Sequence, residues 1–330
     1  MGWRSGPARG DWACSWRSGP LVQTGAVIAR ISAFVGVFLV LGALSGVPAS
    51  ANPGVPPGAL AFGGLQRTFV LHVPAGLEHP AGLVINLHGA GQTGGDQAAL
   101  TNYNAVADQY GFVVAYPDGI DFSWADGRGA SVPDWDGVDD VGFLATLIER
   151  LSNDHGIAPG RVFVTGMSAG AFMANRLACE RADLVSAIAP VAGTLGVATA
   201  CNPSRPVSVL LIYGTADPVV PYDGGPMVGR GGPSDIVSAP AMAERWRALD
   251  RCPGPPVETV SVGQGAAAKV HRFTAAGCAD ATEVEFVRID GGGHTWPGGQ
   301  FALPAAMVGP TSHAFDASQA SGRFFASRAG

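Results

Sequence analysis

One serine in this chain stands where a nucleophile could stand. Gly166-Met167-Ser168-Ala169-Gly170 has the form G-x-S-x-G. A strand-like run, 161–165, precedes it, and the helix-compatible run Ala-Phe-Met-Ala-Asn-Arg-Leu-Ala-Cys follows. Such a strand-to-helix turn is very tight, so glycines at 166 and 170 let the backbone pass closely while the serine hydroxyl is held outward. The helix N-terminus then offers backbone N–H groups to a developing oxyanion, Ala169 first. The chemistry implied is nucleophilic attack by a serine on an acyl carbon.

A serine hydroxyl is a weak nucleophile without a base. In this kind of turn the partners follow in the order serine, acid, histidine. Three histidines lie beyond Ser168. His271 sits in an apparent strand, and His313 lies just ahead of the last helix-like run. His294 sits in Gly291-Gly292-Gly293-His294-Thr295-Trp296-Pro297, a glycine-rich loop directly after a strand-like run, and is the candidate base. The acid should follow an intervening strand. Gly214-Thr215-Ala216-Asp217-Pro218 follows one at once, so Asp217 is the candidate and Asp223 the reserve. A second oxyanion donor is expected from a loop after an early strand. Leu87-His88-Gly89-Ala90-Gly91 has that form and makes Ala90 the donor, with His88 in a structural role.

Aromatic residues near these positions could wall a substrate site: Trp296 beside the base, Trp124 and Trp135 in a polar loop, and Tyr222 after the acid. Core or loop packing explains each of them at least as well. Asp139 and Asp140 read as helix-capping residues more readily than as paired acids. No CxxC or HxxxH spacing suggests a metal site.

The elements that must position these groups alternate. Strand-like runs fall at 67–73, 82–87, 112–116, 161–165, 187–191, 207–213 and 283–289. Helix-like stretches fall at 96–110, 140–151, 168–179, 237–249 and 316–328. Such alternation implies an α/β fold with a mostly parallel sheet covered on both faces. Segments 218–233 and 252–268 read as Gly/Pro-rich loops, and no second domain is visible.

At 330 residues, 47% hydrophobic and only 14% charged, the chain can bury a sizeable core and is no disordered or coiled-coil protein. The net charge is −6, and the first 51 residues are basic, so the rest carries all the acidic excess. An acidic body is a poor nucleic-acid binder and fits a neutral substrate. Arg30, the apolar run 31–44 and Ala49-Ser50-Ala51 form a secretory signal, with cleavage predicted after Ala51. The run of about 14 residues is short of the roughly 20 needed to span a bilayer, so no membrane anchor is expected after cleavage. Residues 1–51 are therefore read as leader and signal, 52–330 as one catalytic domain, and the product as secreted. Four cysteines follow: Cys179, Cys201, Cys252 and Cys278. In an exported protein they suggest two disulfides, with three possible connectivities. Pairing neighbours, 179 with 201 and 252 with 278, is favoured; each short loop so closed is worth about 3 kcal/mol in the chain-entropy picture.

Several segments occur together in order: His88-Gly89-Ala90-Gly91, Asp139-Asp140-Val141-Gly142-Phe143, the run from Arg161 to Gly170, Gly214-Thr215-Ala216-Asp217, and Gly292-Gly293-His294-Thr295-Trp296-Pro297-Gly298. In these the chain resembles the extracellular polyhydroxybutyrate depolymerase family and its relatives, the feruloyl and acetylxylan esterases, from about residue 67 to 325. The cysteine placing is similar too. The resemblance implies an α/β-hydrolase fold, a triad of Ser168, Asp217 and His294, and ester hydrolysis through an acyl-enzyme without a cofactor. It leaves open hydroxyalkanoate esters or oligomers against feruloyl or acetyl esters on plant polysaccharide. Polymer degraders of this kind often carry a linker and a polymer-binding module, which are not seen here. An extracellular acyltransferase using the same triad, or a non-catalytic wall-associated binding protein, are the readings of other classes.

Overall fold

The computed structural model describes residues 58–329. The expected leader and signal, 1–51, lie outside the described residues. The strands are β1 (Gly58–Phe62), β2 (Leu65–His72), β3 (Gly82–Leu87), β4 (Phe112–Pro117), β5 (Val162–Met167), β6 (Ala187–Val191), β7 (Ser208–Gly214), β8 (Gly225–Gly229), β9 (Gly232–Ile236), β10 (Val257–Val262), β11 (Lys269–Ala275) and β12 (Val284–Ile289). The helices are α1 (Gly94–Thr101), α2 (Tyr103–Tyr110), α3 (Val132–Trp135), α4 (Asp140–His155), α5 (Ala169–Glu180), α6 (Ala239–Leu249), α7 (Ala305–Val308) and α8 (Ala317–Ala326).

Ten strands form one sheet in the order β1-β2-β4-β3-β5-β6-β7-β12-β11-β10. The run from β4 to β12 is parallel throughout, and antiparallel strands close both edges. Every residue of β3, β4, β5, β6 and β7 is buried, which is why these segments read as continuous apolar runs. Alternate side chains feed two cores. Leu83, Ile85 and Leu87 of β3 meet Phe143 and Leu147 of α4, Phe172 and Leu177 of α5, and Trp246 of α6. Val84 and Phe163 face the other way, toward Tyr103 of α2 and Phe325 of α8. This is the α/β-hydrolase architecture.

The structure departs from the sequence reading at particular places. The stretch 96–110 is two helices, because Asn102 adopts a left-handed backbone (φ 47°, ψ 36°) between α1 and α2. Asp139 caps α4 by accepting from the Gly142 N–H at 2.7 Å, while Asp140 turns inward to a buried Arg67 at 2.6 Å. The stretch read as the loop 252–268 contains strand β10, and 218–233 contains strand β8 and the start of β9. Both disulfides join neighbouring cysteines, Cys179 to Cys201 and Cys252 to Cys278.

Candidate active site

Ser168 sits between β5 and α5 with φ 56° and ψ −120°, a conformation an L-residue adopts only under constraint. The constraint is visible. The Ser168 N–H is tied to the Val191 carbonyl of β6 at 3.0 Å, and the Ser168 carbonyl accepts from the N–H groups of Ala171 and Phe172. A Cβ at Gly170 would lie 2.2 Å from the Leu87 carbonyl oxygen, so only glycine lets α5 start this close to β3.

The parallel register of β7 and β12 sets Gly214 beside Ile289, so the loops after both strands leave the same sheet edge. They are stitched there: the Thr215 N–H donates to the Ile289 carbonyl at 3.0 Å, and the Ala216 N–H to the Gly292 carbonyl at 2.8 Å. Asp217 and His294 meet across this seam. Asp217 Oδ2 lies 2.7 Å from His294 Nδ1. Asp217 Oδ1 accepts from the N–H groups of Val219 and Val220, both at 2.8 Å, which fixes the carboxylate plane. The reserve acid, Asp223, is exposed, and His271 is engaged elsewhere by Glu258 and Asp290.

Ser168 and His294 line one cavity of about 320 Å3. They are not hydrogen-bonded to one another in this structure. The loop 89–92 forms another wall. The Gly91 N–H is already bonded to the Phe122 carbonyl at 2.8 Å, and those of Gly89 and Gln92 are also taken. The Ala90 N–H has no acceptor within the described residues, and neither has that of Ala169 in the first turn of α5. His88 holds this loop from beneath. Its Nδ1–H donates to the Gly89 carbonyl at 2.8 Å, and its Nε2 accepts from the Gly119 N–H at 2.9 Å. Those partners require a neutral ring, and burial pushes its pKa below the ordinary histidine value.

The aromatic candidates separate. Trp296 lines the cavity with its ring buried and its Nε1–H on Ser318 Oγ at 2.9 Å. Trp135 does not: it is 60% exposed on α3, pinned by its Nε1–H to the Gly129 carbonyl. Tyr222 does not either, because it packs on Tyr213 and Phe286 and lines a separate groove beside α6. Trp124 is buried under the loop that begins at His88, donating to the His88 carbonyl at 2.9 Å. The sequence reading missed the apolar lining: Leu100, Met167, Phe301, Leu303 and Val308. Its one available signal was the apolar run 301–308 just after the loop that carries His294. Among the described residues, no group of three His, Cys, Asp or Glu side chains is placed to hold a metal ion. No helix among them is long and apolar enough to cross a membrane.

The sequence matches the family described as Esterase PHB depolymerase over residues 67–248. A putative esterase, NocK, of Nocardia uniformis subsp. tsuyamanensis is 33% identical over 75% of this chain and 76% of its own length. A bifunctional acetylxylan esterase/xylanase, XynS20E, of Neocallimastix patriciarum is 30% identical over 48% of this chain, a match that spans only 22% of that larger protein. A probable feruloyl esterase C of Aspergillus niger is 27% identical over 66% of this chain and 84% of its own length. With the fold and the match over more than half its length in agreement, the chain belongs to the esterase PHB depolymerase family and is an ester hydrolase.

Proposed function

We propose that this is a secreted serine carboxylic ester hydrolase that works through an acyl-enzyme on hydroxyalkanoate esters or oligomers. The observation that carries the reading is the 2.7 Å contact between Asp217 and His294, with His294 and Ser168 lining one cavity. Ser168 Oγ attacks the ester carbonyl carbon while His294 Nε2 takes its proton. Asp217 keeps the other proton on Nδ1 and stabilises the imidazolium that forms. The carbonyl oxygen becomes an anion held by the N–H groups of Ala169 and Ala90, which have no other acceptor. The intermediate collapses, the alcohol leaves with the proton from His294, and a serine ester remains. Water, deprotonated by the same imidazole, then releases the acid and restores the serine.

The lining of the cavity favours an apolar acyl group. The names of two relatives favour a second reading, feruloyl or acetyl esters on plant polysaccharide. Export of a single catalytic domain, 52–330, after removal of 1–51 is supported by the signal-like N-terminus and by two disulfides, which persist in oxidising compartments.

The test is Ser168→Ala in residues 52–330, assayed with nitrophenyl esters, methyl ferulate, acetylated xylan and hydroxybutyrate oligomers. A loss of at least about a thousandfold on every active ester, with the fold unchanged, is expected. Turnover near that of the parent would remove Ser168 from the mechanism, and the best substrate of the parent decides between the two readings.

A further inference from the structure

Exposed apolar side chains cluster after the loop that carries His294. Phe301, Leu303 and Met307 are 51%, 62% and 62% exposed, and all lie within seven consecutive residues. Phe301 and Leu303 line the cavity that holds Ser168, and Leu100 and Met167 line it too as buried side chains. A wet surface gives no reason to hold out two large apolar side chains beside a nucleophile. A ligand that covers them does.

The segment that carries them is not a loose strap. At one end the Gln300 N–H donates to the Leu100 carbonyl at 3.0 Å. At the other end the Val308 carbonyl accepts the His294 N–H, and the Gly293 N–H donates to the Pro310 carbonyl at 2.8 Å. A Cβ at Gly293 would lie 2.1 Å from the Val308 carbonyl oxygen, so base loop and segment are packed backbone to backbone. Chain laid along Phe301 and Leu303 therefore bears on the same backbone that seats the base.

We propose that residues 299–309 form the acyl-chain subsite, and that it selects esters whose acyl part is an extended apolar chain of four or more carbons. The inference rests on Ser168 as the nucleophile in this cavity and adds the substrate class to that reading. The occupant is the substrate's own acyl chain, because the exposed strip is continuous with the cavity that receives the carbonyl. An acetyl group offers a single methyl to this lining, whereas a longer chain has the length to lie against Phe301 and Leu303, which share the cavity with Ser168. Each methylene buried there improves kcat/KM by about fourfold. Polar aromatic acyl groups gain less, since no hydrogen-bonding side chain of the segment faces the cavity.

The experiment compares nitrophenyl acetate, butyrate, hexanoate and octanoate on the parent and on the double variant Phe301→Ser/Leu303→Ser. Both positions are more than half exposed, so folding survives the change. The parent's kcat/KM should rise at least tenfold from acetate to hexanoate, mostly through KM. The double variant should lose at least tenfold on hexanoate and under threefold on acetate. A flat or falling profile in the parent, or equal losses on both esters, would overturn the subsite. A serine-directed phosphonate separates this from failure of the catalytic reading: labelling with a flat profile sinks the subsite alone, whereas no labelling sinks the nucleophile. Calorimetric titration with free octanoate needs no turnover. Binding at least tenfold tighter in the parent than in the double variant supports the subsite, and equal binding overturns it.

Discussion

Asp217 shows how much a single side chain is asked to do. One carboxylate oxygen is held by two backbone N–H groups, which leaves the other aimed at His294 Nδ1. A carboxylate can only accept there, so it keeps the proton on Nδ1 and leaves Nε2 free as a base. An amide in its place could turn its NH2 to the ring and reverse the tautomer. Asp217→Asn should therefore lower kcat by about 10³–10⁴ with little change in KM and in thermal stability. Steady-state kinetics on a short nitrophenyl ester checks this, and a loss below tenfold would place the orienting acid elsewhere. That Ser168, Asp217 and His294 come together was legible, because chemistry imposes an order and a loop context on such residues. The aromatic residues were not. Tyr222 and Trp135 carry no positional rule, and packing against Phe286 or an exposed loop decides where they go.

Elements were legible in proportion to their burial. Strands β3 to β7 are buried on both faces and announce themselves as apolar runs. Strand β10 is exposed along its whole length at the edge of the sheet, so its sequence, Val-Glu-Thr-Val-Ser-Val, carries no core signal and lay inside a stretch read as loop. The break between α1 and α2 was hidden for another reason. Apolar spacing continues across Asn102, and only the backbone conformation there turns the chain. The turn is needed because Gly94 of α1 packs on the Tyr116 backbone while Tyr103 of α2 reaches Ser321 of α8. Asparagine tolerates the left-handed region better than most residues, and a β-branched residue does not. Asn102→Val should cost about 1–2 kcal/mol of stability, while Asn102→Gly should cost nothing. Denaturant midpoints measure both, and equal midpoints for the two variants would mean that the turn is not set by this backbone preference.

Across the whole molecule, stability should depend on pH through groups far from the catalytic edge. Asp250 is fully buried after α6, where the Val207 N–H donates to its Oδ1 at 3.0 Å and its Oδ2 has no partner. The adjoining Cys252–Cys278 disulfide and the Ala279 N–H, which donates to the Asp250 carbonyl, fasten the same corner, so the carboxyl has no easy way out to water. Burial favours its neutral form and pushes its pKa up to about 7. In the unfolded chain the same group titrates near about 4. Between those values the folded state keeps a proton that the unfolded state has lost, so stability falls as pH rises through this window and levels off above it. The loss is bounded by about 4 kcal/mol, at about 1.4 kcal/mol per unit. Glu285 on β12, raised to about 7 by burial and by its neighbour Glu283, acts in the same direction. Burial raises the Asp126 and Asp140 carboxyls as well, and Asp250→Asn removes one of these contributions. Its denaturant midpoint should change less between pH 4.5 and pH 8 than the parent's, and at pH 8 it should be the more stable of the two. Parallel pH profiles for parent and variant would show that the buried carboxyl ionises without cost, and would take Asp250 out of the account.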